Sequence, residues 1–559
     1  MTPVSRARLR LLALLGVLAI AGTVLTGCGG DDEDSAGGAG EESGEEASDD
    51  GESGGGDDVI LVGTTDKVTT LDPAGSYDNG SFAVQNQVFP FLMNSPVGSP
   101  DVEPDIAESA EFTAPDEYTV TLKEGLTFAN GNELTSSDVK FTFDRQLAIA
   151  DENGPSSLLY NLDSTEAVDD LTVVFHLTAE NDQVFPQILS TFPGAIVDED
   201  VFSADEITPD QDIVDGNAFA GPYTITSWDF NNTVEFSPNP DYQGLLGAPQ
   251  NGGVVLQVFA DSSNLKLSVQ EGDVDVAHRS LSPTDIEDLR TQDSVVVHDG
   301  PGGEIRYVVF NFDTMPFGAT TPEADEAKAL AVRQAFAALV DRSAISEQVY
   351  KGTYTPLYSF VPEGFTGAIE PLKDLYGSDG GPDLEQATQI LADAGVETPV
   401  QLSLQYNSDD HYGPSSGDEY ALVKSQLEDG GLFTVDLQST EWVQYSEDRT
   451  ADVYPAYQLG WFPDYSDADN YLTPFFLEDN FLGNHFSDPE VEELILEQGV
   501  TADADERTAI IEDIQSRMAE LLSTVPLLQG AQVAVAGADV SGVELDASFK
   551  FRYGGLTKG

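Results

Sequence analysis

The chain has 559 residues, with 100 acidic against 23 basic side chains and a formal net charge of −77. That imbalance argues against nucleic acid or anionic lipid as a partner of the folded body, because their phosphates would repel it. It also costs self-repulsion in dilute solution, which molar salt removes by shortening the Debye length to about 3 Å, so adaptation to high external salinity is expected.

Arg6, Arg8 and Arg10 precede an apolar run at 11–25 that is too short and wrongly flanked for a permanent membrane span. The only cysteine, Cys28, closes the sequence Leu25-Thr26-Gly27-Cys28, with the small residue a signal peptidase requires at Gly27. The segment resembles a bacterial lipobox, whose cysteine is diacylated and becomes the new N-terminus. Residues 1–27 are then a lipoprotein signal peptide, and an ordinary signal peptide with a chance cysteine is the alternative. The mature chain would have no disulfide, and with Cys28 acylated no free thiol. Residues 28–58 follow as the lipidated cysteine and an acidic Gly/Ser-rich tether with no aromatic, no proline and no aliphatic larger than alanine. Such a stretch buries too little apolar surface to offset its ordering entropy, and about 30 residues of it span roughly 30 Å.

The body that begins near Val59 alternates strands and helices without a fixed repeat. Strands are expected at 59–65, 118–123, 171–177, 254–259 and 305–311, and a hairpin at 223–236 turns at Asn231-Asn232. The stretch from Leu71-Asp72-Pro73 through Tyr77 to Phe82 reads as extended. Helices are expected at 325–340, at 383–394 before Gly395, at 418–428 before Gly430-Gly431, after the Asp488-Pro489 start signal, and at 503–522. Strands at 400–406, 432–437 and 453–459 lie between them, so the pattern is mixed α/β with more than one sheet.

Catalytic signatures are absent: no Gly-x-Ser-x-Gly, no His-Glu-x-x-His and no phosphate loop. The five histidines show no helical ligand spacing, and His176 reads as a strand surface or packing residue. One segment stands out, Gly460-Trp461-Phe462-Pro463-Asp464-Tyr465 and on through Asp467, Asp469 and Tyr471. A strand end that turns into an aromatic, acidic loop suits a small-molecule site, where a carboxylate can hold an ammonium. A calcium loop is the competing reading of its oxygen donors, but the glycine and glutamate that loop requires are missing, and a plain turn is the third reading.

Five ordered blocks carry a family resemblance: Thr70-Leu71-Asp72-Pro73; Tyr118 to Phe128 with Asn130-Gly131 and Ser137-Asp138-Val139; Ala220-Gly221-Pro222-Tyr223; Asn239-Pro240-Asp241-Tyr242; and Arg333-Gln334-Ala335-Phe336 leading to Asp341-Arg342. With Gly460-Trp461 and Asp464-Tyr465, the chain resembles an ABC-transporter solute-binding protein of the dipeptide/oligopeptide-binding family 5. The resemblance implies a two-lobed, hinged, periplasmic-binding-protein-like α/β fold with an extra domain inserted in lobe I. Lobe I would comprise 59–90, 216–303 and 526–559, the inserted domain 91–215 and lobe II 304–525.

By that resemblance Asp464 pairs with a peptide α-ammonium, the backbone of Gly460 and Trp461 pairs with an extended peptide, and Tyr465 belongs to the same block. Arg449 is a candidate for the ligand carboxylate, with an ordinary surface ion pair as its alternative. Tyr77 lines the opposite side of the cleft. Phe128, Asn130, Gly131 and Tyr223 are given structural roles. The implied protein is no enzyme. It needs no cofactor or metal, works as a monomer outside the cytoplasm, is anchored to the membrane through Cys28, and delivers small peptides to an ABC permease and its ATPase. An oligosaccharide or chelated-nickel receptor, or a surface peptide sensor or chaperone, are the alternatives.

The charge reading predicts a melting temperature that climbs steeply with NaCl concentration; a flat thermal-unfolding series would contradict it.

Overall fold

The structure is a computed structural model and describes residues 58–559 except Asp479 and Phe549. The signal peptide, Cys28 and the tether lie outside the described residues. Among the described residues no helix is long and apolar enough to cross a membrane.

An 11-stranded mixed sheet forms the spine. Across it run Phe433–Thr440, Val400–Asn407, Ala456–Trp461, Val295–Phe310, Thr524–Gly537, Val276–His278, Val59–Thr64, Gly253–Val258, Thr233–Pro238 and Tyr223–Asp229, with Tyr354–Pro356 also on Thr524–Gly537. A separate antiparallel sheet of four strands, between Ala107 and Leu177, carries its own core around Val120, Phe143 and Phe175. Two further apolar cores flank the spine. One gathers Ile60, Tyr223, Phe236 and Ala534, and the other Val308, Phe336, Tyr457 and Leu528.

Val295–Phe310 and Thr524–Gly537 pair antiparallel along most of their length, and Thr524–Gly537 passes from one core to the other. Their register shifts between Pro301 and Ile305. Val525, Leu527 and Leu528 belong to the second lobe's core, and Ala534 and Ala536 to the first. The first of these strands begins well before the expected residue 305, because its Pro301-Gly302-Gly303 interruption is bridged by the partner strand instead of ending the element.

Local signals explain most helices. Asp325, Asp341, Asp383, Asp488 and Asp503 each accept a backbone N–H in the first turn, satisfying an otherwise unpaired donor where the helix dipole favours negative charge. The same device overturns one expectation. The stretch through Phe82 is not extended: Asp78 accepts the Ser81 N–H at 2.8 Å and starts a helix at Asn79–Val88. That helix buries Gln85, Asn86 and Gln87, so it has no apolar stripe to betray it. The strand expected at 453–459 is shifted to Ala456–Trp461, since Asp452 takes a positive φ of 62°, Val453 is exposed and Pro455 precedes the strand.

Asp72 of the Leu-Asp-Pro block is a structural anchor. Its two carboxylate oxygens accept Nη1 and Nη2 of Arg145, each at 2.8 Å, and the Ala74 and Thr208 N–H groups at 2.9 and 2.7 Å. Arg145 also donates to the carbonyls of Ser203 and Glu206. The pair is fully enclosed and ties the Leu-Asp-Pro block to the helix Ser136–Ile149, which packs in the core of the four-stranded sheet. Removing one partner strands the other charge in the interior, so Asp72→Ala should cost about 3–5 kcal/mol in urea unfolding; a loss indistinguishable from a surface substitution would contradict this.

Candidate functional site

Where the two long strands cross between the lobes, backbone approaches backbone. A Cβ on Gly302 would lie 2.2 Å from the Gly530 carbonyl oxygen, and one on Gly303 would lie 2.5 Å from Pro463 and 2.8 Å from the Tyr471 hydroxyl. Only glycine permits this packing. Beside the crossing opens a cavity of about 390 Å³ whose walls come from both lobes, including Arg279 and Ser282 on one side and Tyr350, Tyr412 and Phe462 on the other. A larger concavity of about 1310 Å³ lies on one lobe alone, beside Val400–Asn407 and Phe433–Thr440, and takes no residue from the other lobe.

The loop after Ala456–Trp461 is held by Asn470. Its side-chain oxygen accepts the Trp461 indole N–H and the Asp464 backbone N–H, each at 2.9 Å. Asp467 caps the short turn that carries Asn470, accepting the Asp469 N–H at 2.8 Å. Asp464 is thereby presented to the other lobe. Tyr77 donates its hydroxyl to one carboxylate oxygen, the Asn470 amide lies 3.4 Å from the other, and Thr191 donates to the Asp464 carbonyl at 2.9 Å. Tyr77 is itself set by an edge-on contact with Phe192, ring centroids 4.8 Å apart.

Burial pushes the Asp464 carboxyl above its ordinary value, and the Tyr77 and Asn470 donors only partly offset this. Burial also raises the Tyr77 phenol, with the Asp464 charge adding to it. Among the described residues no cation pairs with Asp464; both donors to its carboxylate are neutral.

The structure thus brings Tyr77 and Asp464 into direct contact, with Trp461 joined through Asn470. Gly460 sits in register with Arg306, and a Cβ there would lie 3.0 Å from the Tyr412 ring. The strand carrying Gly460 pairs with Val400–Asn407 only at Ala456 and Tyr457, so among the described residues no strand pairs with Gln458–Trp461 on that side. Tyr465 points away into the core of the four-stranded sheet, and its hydroxyl donates to Asp469 at 3.0 Å. None of the six predicted residues lines the cavity of about 390 Å³, which the Gly460–Tyr465 block reaches through Phe462, and Arg449 is engaged elsewhere. Its guanidinium donates to the Phe481 and Leu482 carbonyls at 3.1 Å and lies over the Phe481 ring, bracing the far side of Trp461. The oxygens that suggested calcium are engaged: Asp467 holds Arg507 through two contacts of 2.7 and 2.8 Å, and Asp469 accepts from Tyr465, Thr473 and Gln498.

Sequence reasoning missed Asn470 as the organiser, and with it Arg279, Arg306 and Tyr412. Arg306 lines the cavity, reaches the buried Glu419 at 3.3 Å and donates to the Tyr412 carbonyl. A lone arginine within the apolar run 305–310, in a chain so poor in basic residues, was the available signal. The charged residues on the cavity wall are Arg279, Arg306 and Glu304, an inversion of the chain's own balance.

Residues 101–483 match the family described as bacterial extracellular solute-binding proteins, family 5 Middle. The chain is 24% identical over 496 residues to the probable D,D-dipeptide-binding periplasmic protein DdpA of Escherichia coli K12, covering 86% of this chain and 90% of that protein. In fold it is similar to HbpA2 from Haemophilus parasuis, with a TM-score of 0.77, 20% identity, and coverage of 90% of this chain and 100% of that one. It is also similar to the periplasmic binding protein DppA from Helicobacter pylori in complex with the peptide STSA, with a TM-score of 0.66, 18% identity, and coverage of 90% and 98%.

Asn470→Ala would leave the indole N–H and the Asp464 N–H without an acceptor. Each unpaired buried donor should cost about 1–3 kcal/mol, read as a lowered midpoint in urea unfolding; an unchanged midpoint would contradict the organising role.

Proposed function

Since the chain belongs to the family 5 bacterial extracellular solute-binding proteins, a family of binding proteins and not of enzymes, we propose that it captures small peptides between its lobes and hands them to an ABC permease and ATPase. One observation carries the peptide reading: the Asp464 carboxylate is half-buried and largely desolvated, faces the opposite lobe and has only neutral donors. A desolvated carboxylate gains most from a cation that is itself desolvated beside it, and a peptide's α-ammonium supplies one. The name of the Escherichia coli relative, a D,D-dipeptide binder, points to the same ligand class.

The strand edge at Gln458–Trp461 offers main-chain groups to an extended ligand in the manner of an added strand, which serves many side-chain sequences. Tyr412 covers Gly460, so a ligand pairing there displaces its ring. Trp461, held edge-on against Phe475 with ring centroids 5.1 Å apart, gives a rigid wall. Ligand contacts to both lobes favour the closed arrangement, and closure is what the membrane partner reads. Cys28, diacylated after removal of residues 1–27, would hold the protein at the membrane through the acidic tether.

Because the Asp464 carboxyl is raised, it protonates at a higher pH than an exposed aspartate does. Protonation removes the attraction for ammonium, so affinity for a free-amine peptide should fall as pH drops through that raised value. The decisive comparison is Asp464→Asn. Losing one partner of a buried charge pair costs about 2–5 kcal/mol, so the variant should bind a free-amine tripeptide at least about tenfold more weakly, while the N-acetylated analogue binds as it does to the parent. Equal losses for both peptides would remove Asp464 from this role, and stabilisation by an oligosaccharide or a nickel chelate in place of peptides would remove the peptide reading.

A further inference from the structure

The short segment Trp461–Tyr465 sends aromatic rings into three different interiors. Trp461 packs against the second lobe's core, to which Tyr471 also belongs. Phe462 packs against the first lobe's core, and the Arg279 guanidinium lies over its ring, 5.0 Å from the centroid. Tyr465 is buried in the third core, that of the four-stranded sheet. Asp464 sits in the chain between these last two rings.

The four-stranded sheet is fastened to the first lobe. Asp72, next to Leu71 of the first lobe's core, holds Arg145 on the helix Ser136–Ile149, whose Val139 and Phe143 belong to the sheet's core. The Ala129 N–H donates to the Phe219 carbonyl at 2.7 Å, again joining the two. The loop itself is rooted in the second lobe. Asn470 holds Trp461 and Asp464, and Asp467 holds Arg507 on the helix Ala504–Leu521. Phe462 and Tyr465 therefore start on one side of the cleft and end in interiors that belong to the other. Two hydrogen bonds span the same boundary, Thr191 to the Asp464 carbonyl and the Gln183 N–H to the Gly499 carbonyl, each at 2.9 Å.

Opening the cleft about its hinge must withdraw both rings. With 100 acidic against 23 basic residues in the chain, electrostatics opposes the approach of the lobes. Burial of aromatic rings is indifferent to that charge.

We propose that Phe462 and Tyr465 form an apolar clasp that draws the lobes together, so that closure is driven by the protein's own rings as well as by the ligand. The inference rests on the reading of the interlobe cleft as the peptide site and divides the labour there. Asp464 selects the amine, while its two aromatic neighbours set how long any ligand is retained, because a ligand of the closed form binds in proportion to how well that form is populated.

The test is small-angle scattering of the parent, Tyr465→Ala, Phe462→Ala and Tyr465→Phe in molar NaCl, first with no peptide added. Both alanine variants should show a larger radius of gyration than the parent, and Tyr465→Phe, which keeps the ring, should match it. A change in core packing alone would lower the melting temperature and leave the radius where it was. Stopped-flow release of trialanine and of N-acetyltrialanine should then be about tenfold faster in the alanine variants, by the same factor for both peptides. Should Tyr465→Ala fail to fold, Phe462→Ala, at a half-buried position, carries both measurements. Equal radii in the parent and the alanine variants, or faster release confined to the free-amine peptide, would overturn the clasp. If neither peptide binds, the peptide reading fails, and the scattering comparison still decides the clasp.

Discussion

The structure depends on one long antiparallel pairing, Val295–Phe310 against Thr524–Gly537. It is continuous with both apolar cores, so the lobes share a sheet while each keeps its own interior. The register shift after Pro301 and the glycines at 302, 303 and 530 put the thinnest backbone where the lobes meet. Close packing there leaves room for Tyr471, whose hydroxyl donates to the Gly303 carbonyl at 2.6 Å and so seats the loop carrying Asp464 and Asn470. A ligand in the adjoining cavity touches the hinge and both lobes at once, which is the geometry needed for binding energy to favour closure.

Charge is used in two opposite ways. Much of the acidic excess is solvated surface, and many aspartates work as helix caps, where a negative side chain is favourable. Asp464 is placed differently: it is a largely desolvated acid that faces the other lobe, with no cation paired to it among the described residues. Left ionised and unliganded it costs the fold free energy at neutral pH, a cost relieved as pH falls through its raised value; in the proposed complex the ligand relieves it instead. Arg306 shows the contrasting solution, since its buried charge is met within the protein by Glu419.

The sequence made some of this legible. The helix Leu384–Asp393 lies between a capping aspartate and Gly395, and the hairpin turns at Asn231 with a positive φ of 53°, as local chemistry requires. Elements stabilised from far along the chain were not legible. The helix Asn79–Val88 buries amides whose partners include the Phe551 carbonyl, and no local pattern encodes that contact. At the site, Asp464 and Tyr77 could be named from motif and position, but their contact could not. Asn470 and Tyr412 acquire roles only once strand ends and loops are placed against each other, and Arg449, read as a ligand candidate, is turned toward backbone carbonyls.

The central claim is that the ligand supplies the cation Asp464 lacks, and its most direct measure is the proton count on binding. Titration calorimetry of a free-amine tripeptide, repeated in buffers of different ionisation enthalpy over an acidic pH series, gives that count. The account predicts net proton release that peaks near the raised Asp464 value, because the incoming ammonium pulls the carboxyl back to its ionised form. Binding with no proton exchange anywhere in the series would contradict it.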